Sequence, residues 1–207
     1  MKLLQALMRI LFPERRHEAL VRTLHDDDVL KLLKPVPLAL PEGVALLPFR
    51  TPVVRALITE AKYHGNARAQ RLLGRALTEY LRDWLPDALA YESRTIALVP
   101  VPLSKKRYRE RGYNQAELIA RYAGDALSLT ILPHVLKRTR NTAPQTTLGK
   151  AARKENVAGA FAAQLPNPAY LYIVVDDVAT TGATLAAVAE ALTNAGAERV
   201  IPLAISY

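Results

Sequence analysis

The chain has 207 residues, of which 50% are hydrophobic and 23% charged, and this composition excludes a disordered or low-complexity protein. It contains no cysteine, which excludes a disulfide framework, a thiolate zinc site and a cysteine nucleophile. The formal net charge of +9 favours polyanionic partners, either nucleic acid or a phosphorylated small molecule. The lack of cysteine also fits a reducing compartment, so we expect a cytoplasmic protein.

The first residues are apolar and end at a proline. Leucine and isoleucine side chains recur at helical spacing over residues 1–12, Lys2 and Arg9 interrupt them, and Pro13 follows. The segment is too short to span a bilayer, and no small-residue cleavage site follows it. We predict an amphipathic helix that docks on the main domain, with no membrane insertion.

Residues 1–50 are predicted to form a small helical N-terminal region. The acidic run Asp26–Asp28 precedes an apolar stretch, and carboxylates stabilise a helix N-terminus. Helix capping or solvent exposure therefore explains this run better than a metal site. Three prolines and Gly43 break regular structure between residues 35 and 43, so we place a domain boundary near residue 50.

Residues 51–207 are predicted to form the main domain, which begins with two helices. Thr51 is a candidate N-cap, and Pro52 suits the first helical position. The second helix carries apolar side chains at helical spacing from Leu72 to Trp84, and we expect it to end before Pro86.

Four short apolar segments are then predicted to be strands, namely residues 96–101, 129–132, 171–175 and 200–205. A helix that opens with an Asn114–Glu117 capping box separates the first two strands, and another helix separates the last two. Strands that alternate with helices indicate an α/β fold, with a mostly parallel sheet flanked by helices.

The most informative stretch runs from Val174 to Thr184. Two carboxylates end a buried strand, and a loop of small hydroxyl residues leads into a helix. Ligands of open α/β sheets bind at that edge, where the helix start and a glycine offer backbone N–H groups to a phosphate. Asp176 and Asp177 would repel a phosphate but can accept hydrogen bonds from sugar hydroxyls. The order of these residues predicts a sugar-phosphate site. A strand end followed by a helix cap would explain each residue by itself but not their order.

This stretch resembles the ribose 5-phosphate loop of type I phosphoribosyltransferases. The resemblance implies that fold, and it implies phosphoribosyl pyrophosphate or a similar nucleotide-like molecule as the ligand. Asp176 and Asp177 would then bind the ribose 2- and 3-hydroxyls. The 5-phosphate would contact the six residues that follow, Ala179, Thr180, Thr181, Gly182, Ala183 and Thr184.

Other motifs, from about residue 56 to the C-terminus, resemble successive signatures of ComF-type competence proteins. They are Lys62-Tyr63 before Gly65, Val99–Leu103, Arg109–Gln115, Arg138 with Thr142, Pro144 and Gln145, and then Arg153, Asn156 and Phe161. The resemblance implies a role in DNA uptake during natural transformation. The cysteines of that family's N-terminal zinc ribbon are absent, so no metal is expected there, and partner binding through the ribbon is in doubt.

The order of type I enzymes also implies roles for the two basic segments. Residues 103–115 would embrace the pyrophosphate, and residues 138–154 would close over the site and exclude water. The candidates for substrate binding in the first segment are Arg109, Arg111, Gly112, Asn114 and Gln115, and the catalytic candidates in the second are Arg138 and Arg153. For each arginine a surface role is an alternative. Mg²⁺ would bridge the diphosphate oxygens, with substrate and water supplying most of its ligands.

Three functions are compatible with these features. The first is an enzyme that transfers phosphoribose to a nitrogen nucleophile and releases pyrophosphate, although the sequence shows no general base and does not identify the acceptor. The second is a non-catalytic accessory protein that binds single-stranded DNA and competence or recombination proteins. The third is a nucleotide-sensing regulator on the same fold. Members of the superfamily are often dimers, so a homodimer is a further expectation.

Overall fold

The structure is a computed structural model that describes residues 15–91, 94–140, 157, 159–164 and 167–207. In chain order its elements are α1 (Arg16–Thr23), α2 (Asp26–Leu30), β1 (Val36–Pro37), β2 (Val44–Leu47), α3 (Pro52–Tyr63), α4 (Ala67–Tyr91), β3 (Thr95–Pro100), α5 (Lys105–Arg111), α6 (Gln115–Leu127), β4 (Thr130–Ile131), β5 (Leu136–Arg138), β6 (Phe161–Ala163), β7 (Tyr170–Val178), α7 (Ala183–Asn194) and β8 (Arg199–Ser206).

The main sheet has the strand order β1-β2-β8-β7-β3-β4. The edge strand β1 runs antiparallel to β2, and every other neighbouring pair is parallel. Strands β5 and β6 form a separate antiparallel pair. The predicted α/β class with a mostly parallel sheet is therefore confirmed, and the four strands expected in the main domain correspond to β3, β4, β7 and β8.

The sheet is buried on both faces, as its continuous apolar strands require. Along β7, Leu171, Ile173 and Val175 pack in a core with apolar side chains from α1, α2, α3, α4 and α6. Tyr172 and Val174 alternate with them and pack on the opposite face, against α7 and the β5–β6 pair. Two cores therefore hold the sheet between helices and fix the direction of each strand side chain.

Part of the N-terminal region joins this sheet. Residues 15–35 contain the helices α1 and α2, and β2 then pairs in parallel with β8, with Val44 opposite Leu203. Strand β1 contains Pro37, which is tolerated because β1 is an edge strand. The division near residue 50 stays a prediction, and the amphipathic helix expected over residues 1–12 lies outside the described residues.

Helix α4 continues past Pro86, so the expected end before that residue was wrong. Proline removes one backbone hydrogen bond from a helix interior and crowds the preceding turn. Trp84 and Leu85 pack against the helix-side core just before the proline, and Pro86 itself faces solvent. Packing of the apolar face thus outweighs the local preference for a helix end.

Three predicted helix caps can be compared with the structure. Thr51 lies at the N-cap position of α3, where its hydroxyl donates to the Pro48 carbonyl. The Asp28 carboxylate accepts a hydrogen bond from the backbone N–H of His25 at 2.8 Å, which confirms a capping role within the acidic run. Asn114 caps α6 by accepting from the Ala116 N–H at 3.2 Å. Glu117, the expected second member of that capping box, accepts from the Arg121 side chain at 2.8 Å.

Candidate ligand-binding site

The two aspartates, the loop and the helix start are arranged as the sequence pattern predicts. Asp176 and Asp177 lie near the carboxyl end of β7, and α7 begins at Ala183 directly after the loop. The Ala179 N–H donates to the Ser206 carbonyl of β8 at 2.8 Å, which anchors the start of the loop to the sheet. The N-terminal end of a helix of 12 residues therefore lies at the sheet edge, beside two carboxylates.

Gly182 is the N-cap of α7 and has a φ of 73°, in the left-handed region that favours glycine. Its carbonyl accepts the first helical hydrogen bond, from the Ala186 N–H at 2.9 Å. The Thr181 hydroxyl oxygen accepts from the Ala183 N–H at 3.4 Å, and Thr180 is exposed. The loop thus combines a glycine turn, threonine hydroxyls and the positive end of a helix dipole, a combination suited to an anion.

Asp177 is almost completely buried, with 5% of its surface exposed, on the sheet face that packs against α3 and α6. Its Oδ1 lies 3.0 Å from the Lys62 ammonium nitrogen, and the Gln115 side-chain amide donates to its Oδ2. The Ser206 hydroxyl donates to its backbone carbonyl at 3.4 Å. Both oxygens of this carboxylate are therefore engaged by protein groups.

Asp176 points to the opposite face of the sheet, because successive strand residues alternate. It is partly buried, and its Oδ1 accepts from the backbone N–H of Asp177 at 2.9 Å. Burial, and next the negative charge of Asp177, raise the pKa of Asp176 to about 7, whereas the positive charges of Lys62 and Arg138 oppose that rise. Among the described residues, no ion pair of Asp176 is seen that corresponds to the one between Asp177 and Lys62.

The first basic segment forms the short helix α5 between two local caps. The Ser104 hydroxyl accepts from the Arg107 N–H at 3.3 Å at its start. Gly112 ends it with a φ of 78°, and its N–H donates to the Tyr108 carbonyl at 2.8 Å. Arg109 is exposed on this helix.

Arg111, Gln115 and Asn114 connect α5 and α6 to their surroundings. Arg111 Nη1 donates to the Gln115 Oε1 at 2.8 Å, and the Arg111 guanidinium lies 5.0 Å from the centre of the Tyr63 ring. Asn114 Nδ2 donates to the Val101 carbonyl at 3.0 Å, just after β3. The Asn114 side chain thus fastens the start of α6 to the end of β3.

The second basic segment is only partly described. Arg138 ends β5, with its guanidinium 5.1 Å from the centre of the Phe161 ring on β6. Burial, and next the positive charge of Arg107, lower the pKa of Arg138, while the charge of Asp176 opposes this effect. These mutual effects place Arg107, Arg138 and Asp176 in one neighbourhood. Arg153, Thr142, Pro144, Gln145 and Asn156 lie outside the described residues.

Two cationic residues near the aspartates, Lys62 and Arg107, were not among the predicted site residues, although Lys62 belongs to one of the signature motifs. The turn after α3 holds Lys62 in place, because the Tyr113 hydroxyl donates to the Ala61 carbonyl and accepts from the Gly65 N–H, both at 2.8 Å. Gly65 has a φ of 60°. The glycine after a basic helix end marks this turn in the sequence, but only the fold shows that it meets Asp177.

The described elements bring together a helix N-terminus, two aspartates and several cationic side chains at one edge of the sheet. Such a set can bind a molecule that carries both phosphate groups and hydroxyl groups. Within the described ranges, no group of three or more histidine, aspartate or glutamate side chains could hold a metal ion. The helices seen in the same ranges all lack the length or the apolar surface needed to cross a bilayer.

Comparison with known proteins gives several curated relatives. The DNA utilization protein YhgH of Salmonella typhi is 32% identical over 151 residues, which are 72% of this chain and 65% of the relative. The protein of the same name from Escherichia coli K12 is 33% identical over 150 residues, with the same coverage. Competence protein F of Haemophilus influenzae is 31% identical over 154 residues, 70% of this chain and 63% of the relative.

The matched region covers less than two thirds of the length of each of these relatives. No model of a known protein family matches the chain. The relatives from enterobacteria and from Haemophilus nevertheless agree in level of identity and in coverage.

Proposed function

Because the chain belongs to the family of ComF-type competence proteins, we propose that it binds phosphoribosyl pyrophosphate, or another ligand that contains ribose 5-phosphate, in a phosphoribosyltransferase-type fold. The observation that carries this proposal is the segment from Asp176 to Thr184, which places carboxylates, a left-handed glycine and the start of α7 in sequence at the sheet edge. The helix start and the threonine hydroxyls bind the 5-phosphate, and carboxylate oxygens accept from the ribose hydroxyls.

The diphosphate of the ligand lies toward the basic groups around α5 and the end of β5. Burial, and next the positive charge of Arg107, lower the pKa of Arg138, and the negative charge of a diphosphate beside these arginines would oppose both effects. Fixed cations favour an anionic ligand most strongly in a site from which water is partly excluded.

Magnesium, which the family resemblance implies, supplies positive charge to the diphosphate oxygens when it is bound. Carboxylate oxygen is a ligand that Mg²⁺ prefers, and Asp176 is the partly exposed member of the aspartate pair. The residues present therefore fit a magnesium ion that arrives with the ligand and is held mainly by phosphate and water.

We propose that the reaction at this site is phosphoribosyl transfer. The nitrogen of the acceptor forms a bond to C1 of ribose, the bond from C1 to the diphosphate oxygen breaks, and pyrophosphate leaves with the electron pair. The acceptor nitrogen loses its proton to solvent. The chain's contribution is to hold the ribose and to stabilise the negative charge that develops on the leaving group.

Calorimetric titration of phosphoribosyl pyrophosphate, with magnesium present, tests the proposed ligand. We expect saturable binding by the wild type and its loss in the double variant Asp176→Asn/Asp177→Asn. The matched control is Asp125→Asn, on the exposed side of α6, which should bind as the wild type does. A folded wild type that does not bind would refute the proposed ligand site. Pyrophosphate release with a panel of nitrogen bases then distinguishes turnover from binding alone.

A second function, binding of single-stranded DNA, is favoured by one surface. Among the described residues, the large hydrophobic side chains that are exposed include Tyr63 at 64% and Tyr108 at 53%. Tyr108 lies one helical turn from Arg111 on α5, and Arg111 in turn lies over the Tyr63 ring. Aromatic rings among cations form a surface on which bases stack while the backbone is neutralised. The relatives named DNA utilization protein and Competence protein F support a role in DNA use or uptake.

Single-stranded DNA binding by the variant Tyr63→Ala/Tyr108→Ala tests this surface. Since base stacking contributes about 1 to 3 kcal/mol per base, we expect at least about tenfold weaker binding at physiological salt. Leu118→Ala is the control, because Leu118 is an exposed hydrophobic residue on α6, at 36%, that lacks an aromatic ring. Binding that vanishes on modest salt addition, and that the tyrosine variant does not alter, would show only nonspecific charge attraction.

A further inference from the structure

The two adjacent aspartates have different surroundings. Asp177 lies on the α3 and α6 side of the sheet and is buried, whereas Asp176 lies on the α7 side and is partly exposed. Both Asp177 oxygens are engaged, Oδ1 by Lys62 at 3.0 Å and Oδ2 by Gln115. Because Asp177 is also only 5% exposed, it is less accessible to a ribose hydroxyl than Asp176 is. The geometry therefore favours different roles for the two carboxylates.

The contacts of Asp177 form a chain that begins at Lys62 and returns to its neighbour Tyr63. Gln115 donates to Asp177 and accepts from Arg111 at 2.8 Å, and Arg111 lies over the ring of Tyr63, the residue next to Lys62. These contacts join the end of α3, the end of α5 and the start of α6 at the carboxyl end of β7. Their common result is to fix the position of Lys62 relative to the sheet edge.

A second set of contacts holds the backbone on which Lys62 stands. The Tyr113 hydroxyl links the Ala61 carbonyl and the Gly65 N–H, each at 2.8 Å. Tyr113 lies in the same basic segment as Arg111, so this turn is fastened directly to the proposed diphosphate-binding segment. The Lys62 side chain is 19% exposed, so part of it reaches the surface beside the sheet edge.

We propose that Asp176 alone contacts the ribose hydroxyls, and that Asp177 is a positioning residue that holds Lys62 where its ammonium ion binds the diphosphate of the ligand. The inference rests on the proposed function, since it assigns groups within the same site. Lys62 supplies three N–H donors, so it can keep its bond to Asp177 while it donates to a diphosphate oxygen. The carboxylate on one side and the diphosphate on the other balance its charge.

Comparison of two ligands tests this division of roles, because ribose 5-phosphate lacks the diphosphate. With Lys62→Met we expect the affinity for phosphoribosyl pyrophosphate to fall about tenfold to a hundredfold, the usual effect of losing a charged hydrogen bond. The affinity for ribose 5-phosphate should change less than about threefold. Lys62→Arg should restore much of the lost affinity, because it keeps the positive charge.

The two aspartate variants should differ in their affinities for the two ligands in the same assay. Asp177→Asn should reproduce the selective loss seen with Lys62→Met, and the double variant should bind no worse than Lys62→Met alone, because the two residues act as a unit. Asp176→Asn should weaken binding of both ligands. Lys31→Met is the matched control, since Lys31 is an exposed lysine directly after α2, outside both basic segments, and it should affect neither ligand strongly.

The possible failures are distinguishable. A folded wild type that binds neither ligand would overturn both the proposed function and this inference. Normal wild-type binding with equal losses for the two ligands in Lys62→Met, or no loss, would overturn the inference alone. An Asp177→Asn variant that loses ribose 5-phosphate binding as Asp176→Asn does would restore equivalent roles. If Asp177→Asn does not fold, Lys62→Met and Lys62→Arg still decide between these outcomes.

Discussion

At the scale of single residues, Asp176 is held in surroundings that disfavour its charge. It is partly buried beside a second carboxylate, and these two effects raise its pKa from the ordinary value of 3.8 to about 7. A carboxyl group whose pKa is raised by folding stabilises the folded chain most at low pH, where it is protonated in both states. That contribution is lost as the pH rises from about 4 through about 7.

The free energy of unfolding of the Asp176→Asn variant should therefore rise relative to that of the wild type as the pH rises. Each pKa unit corresponds to about 1.4 kcal/mol, and after a discount for partial exposure we expect the variant to gain roughly 1 to 2 kcal/mol over the wild type between about pH 5 and about pH 8. Urea unfolding of both proteins at the two pH values measures this difference.

The matched control for this pH effect is Asp125→Asn, whose side chain is exposed on α6. Its stability relative to the wild type should vary little with pH. If the free energy of unfolding depends on pH in the same way for the wild type and for Asp176→Asn, the raised pKa of Asp176 is contradicted.

At the scale of elements, the connection from β7 to α7 depends on a glycine at its turn. Gly182 has a φ of 73°, and a Cβ added there would lie 3.2 Å from the Leu40 Cδ1. Gly112, at the end of α5, has a similar φ of 78° but has no heavy atom within 4 Å of an added Cβ among the described residues. The two glycines share backbone strain on substitution and differ in their surroundings.

Alanine at each glycine should separate stability from ligand binding. Both Gly182→Ala and Gly112→Ala should lose about 1 to 2 kcal/mol of unfolding free energy, because alanine is strained in the left-handed region. Only Gly182→Ala should weaken ribose 5-phosphate binding, since its Cβ would press against Leu40 and shift the loop proposed to bind the phosphate. Denaturant unfolding and calorimetry measure the two effects, and unchanged ribose 5-phosphate affinity in Gly182→Ala would argue against phosphate binding by this loop.

Elements with a strong local pattern were predictable from the sequence. The apolar strands β3, β7 and β8 were predicted, as was the loop that follows Asp177, because continuous burial and small hydroxyl residues leave a clear signal. Strands β1 and β2 were missed, because they are short and lie among prolines that suggest irregular structure. The end of α4 was misplaced, because a local rule about Pro86 was applied where packing of Trp84 and Leu85 decides the outcome.

At the scale of the whole molecule, parallel pairing determines which residues meet. Strands β3 and β7 are neighbours, with Pro100 opposite Val175, so the basic segment after β3 and the aspartates of β7 meet at one edge. Lys62 reaches this edge from the end of α3, on one face of the sheet. The sequence predicted the aspartates and the basic segment 103–115 as parts of one site, but not the helix α5 within that segment. The position of Lys62 was not predictable, because no local pattern encodes a contact between residues so far apart in the chain.

The net charge of +9 also matters for the whole molecule. Part of the positive charge lies on α5, beside the exposed rings of Tyr63 and Tyr108. A phosphorylated small molecule and single-stranded DNA would both be attracted to this side of the molecule. The two proposed functions therefore compete for neighbouring groups, and the location of binding decides between them better than affinity does.

Backbone amide chemical shifts, followed while phosphoribosyl pyrophosphate and magnesium are added to isotope-labelled chain, locate the binding site directly. If the ligand binds at the carboxyl end of β7, the amide signals of residues 179–184 shift and saturate, while those of α2 stay in place. Absence of saturable shifts in residues 179–184, or saturable shifts confined to another part of the chain, would contradict the proposed site.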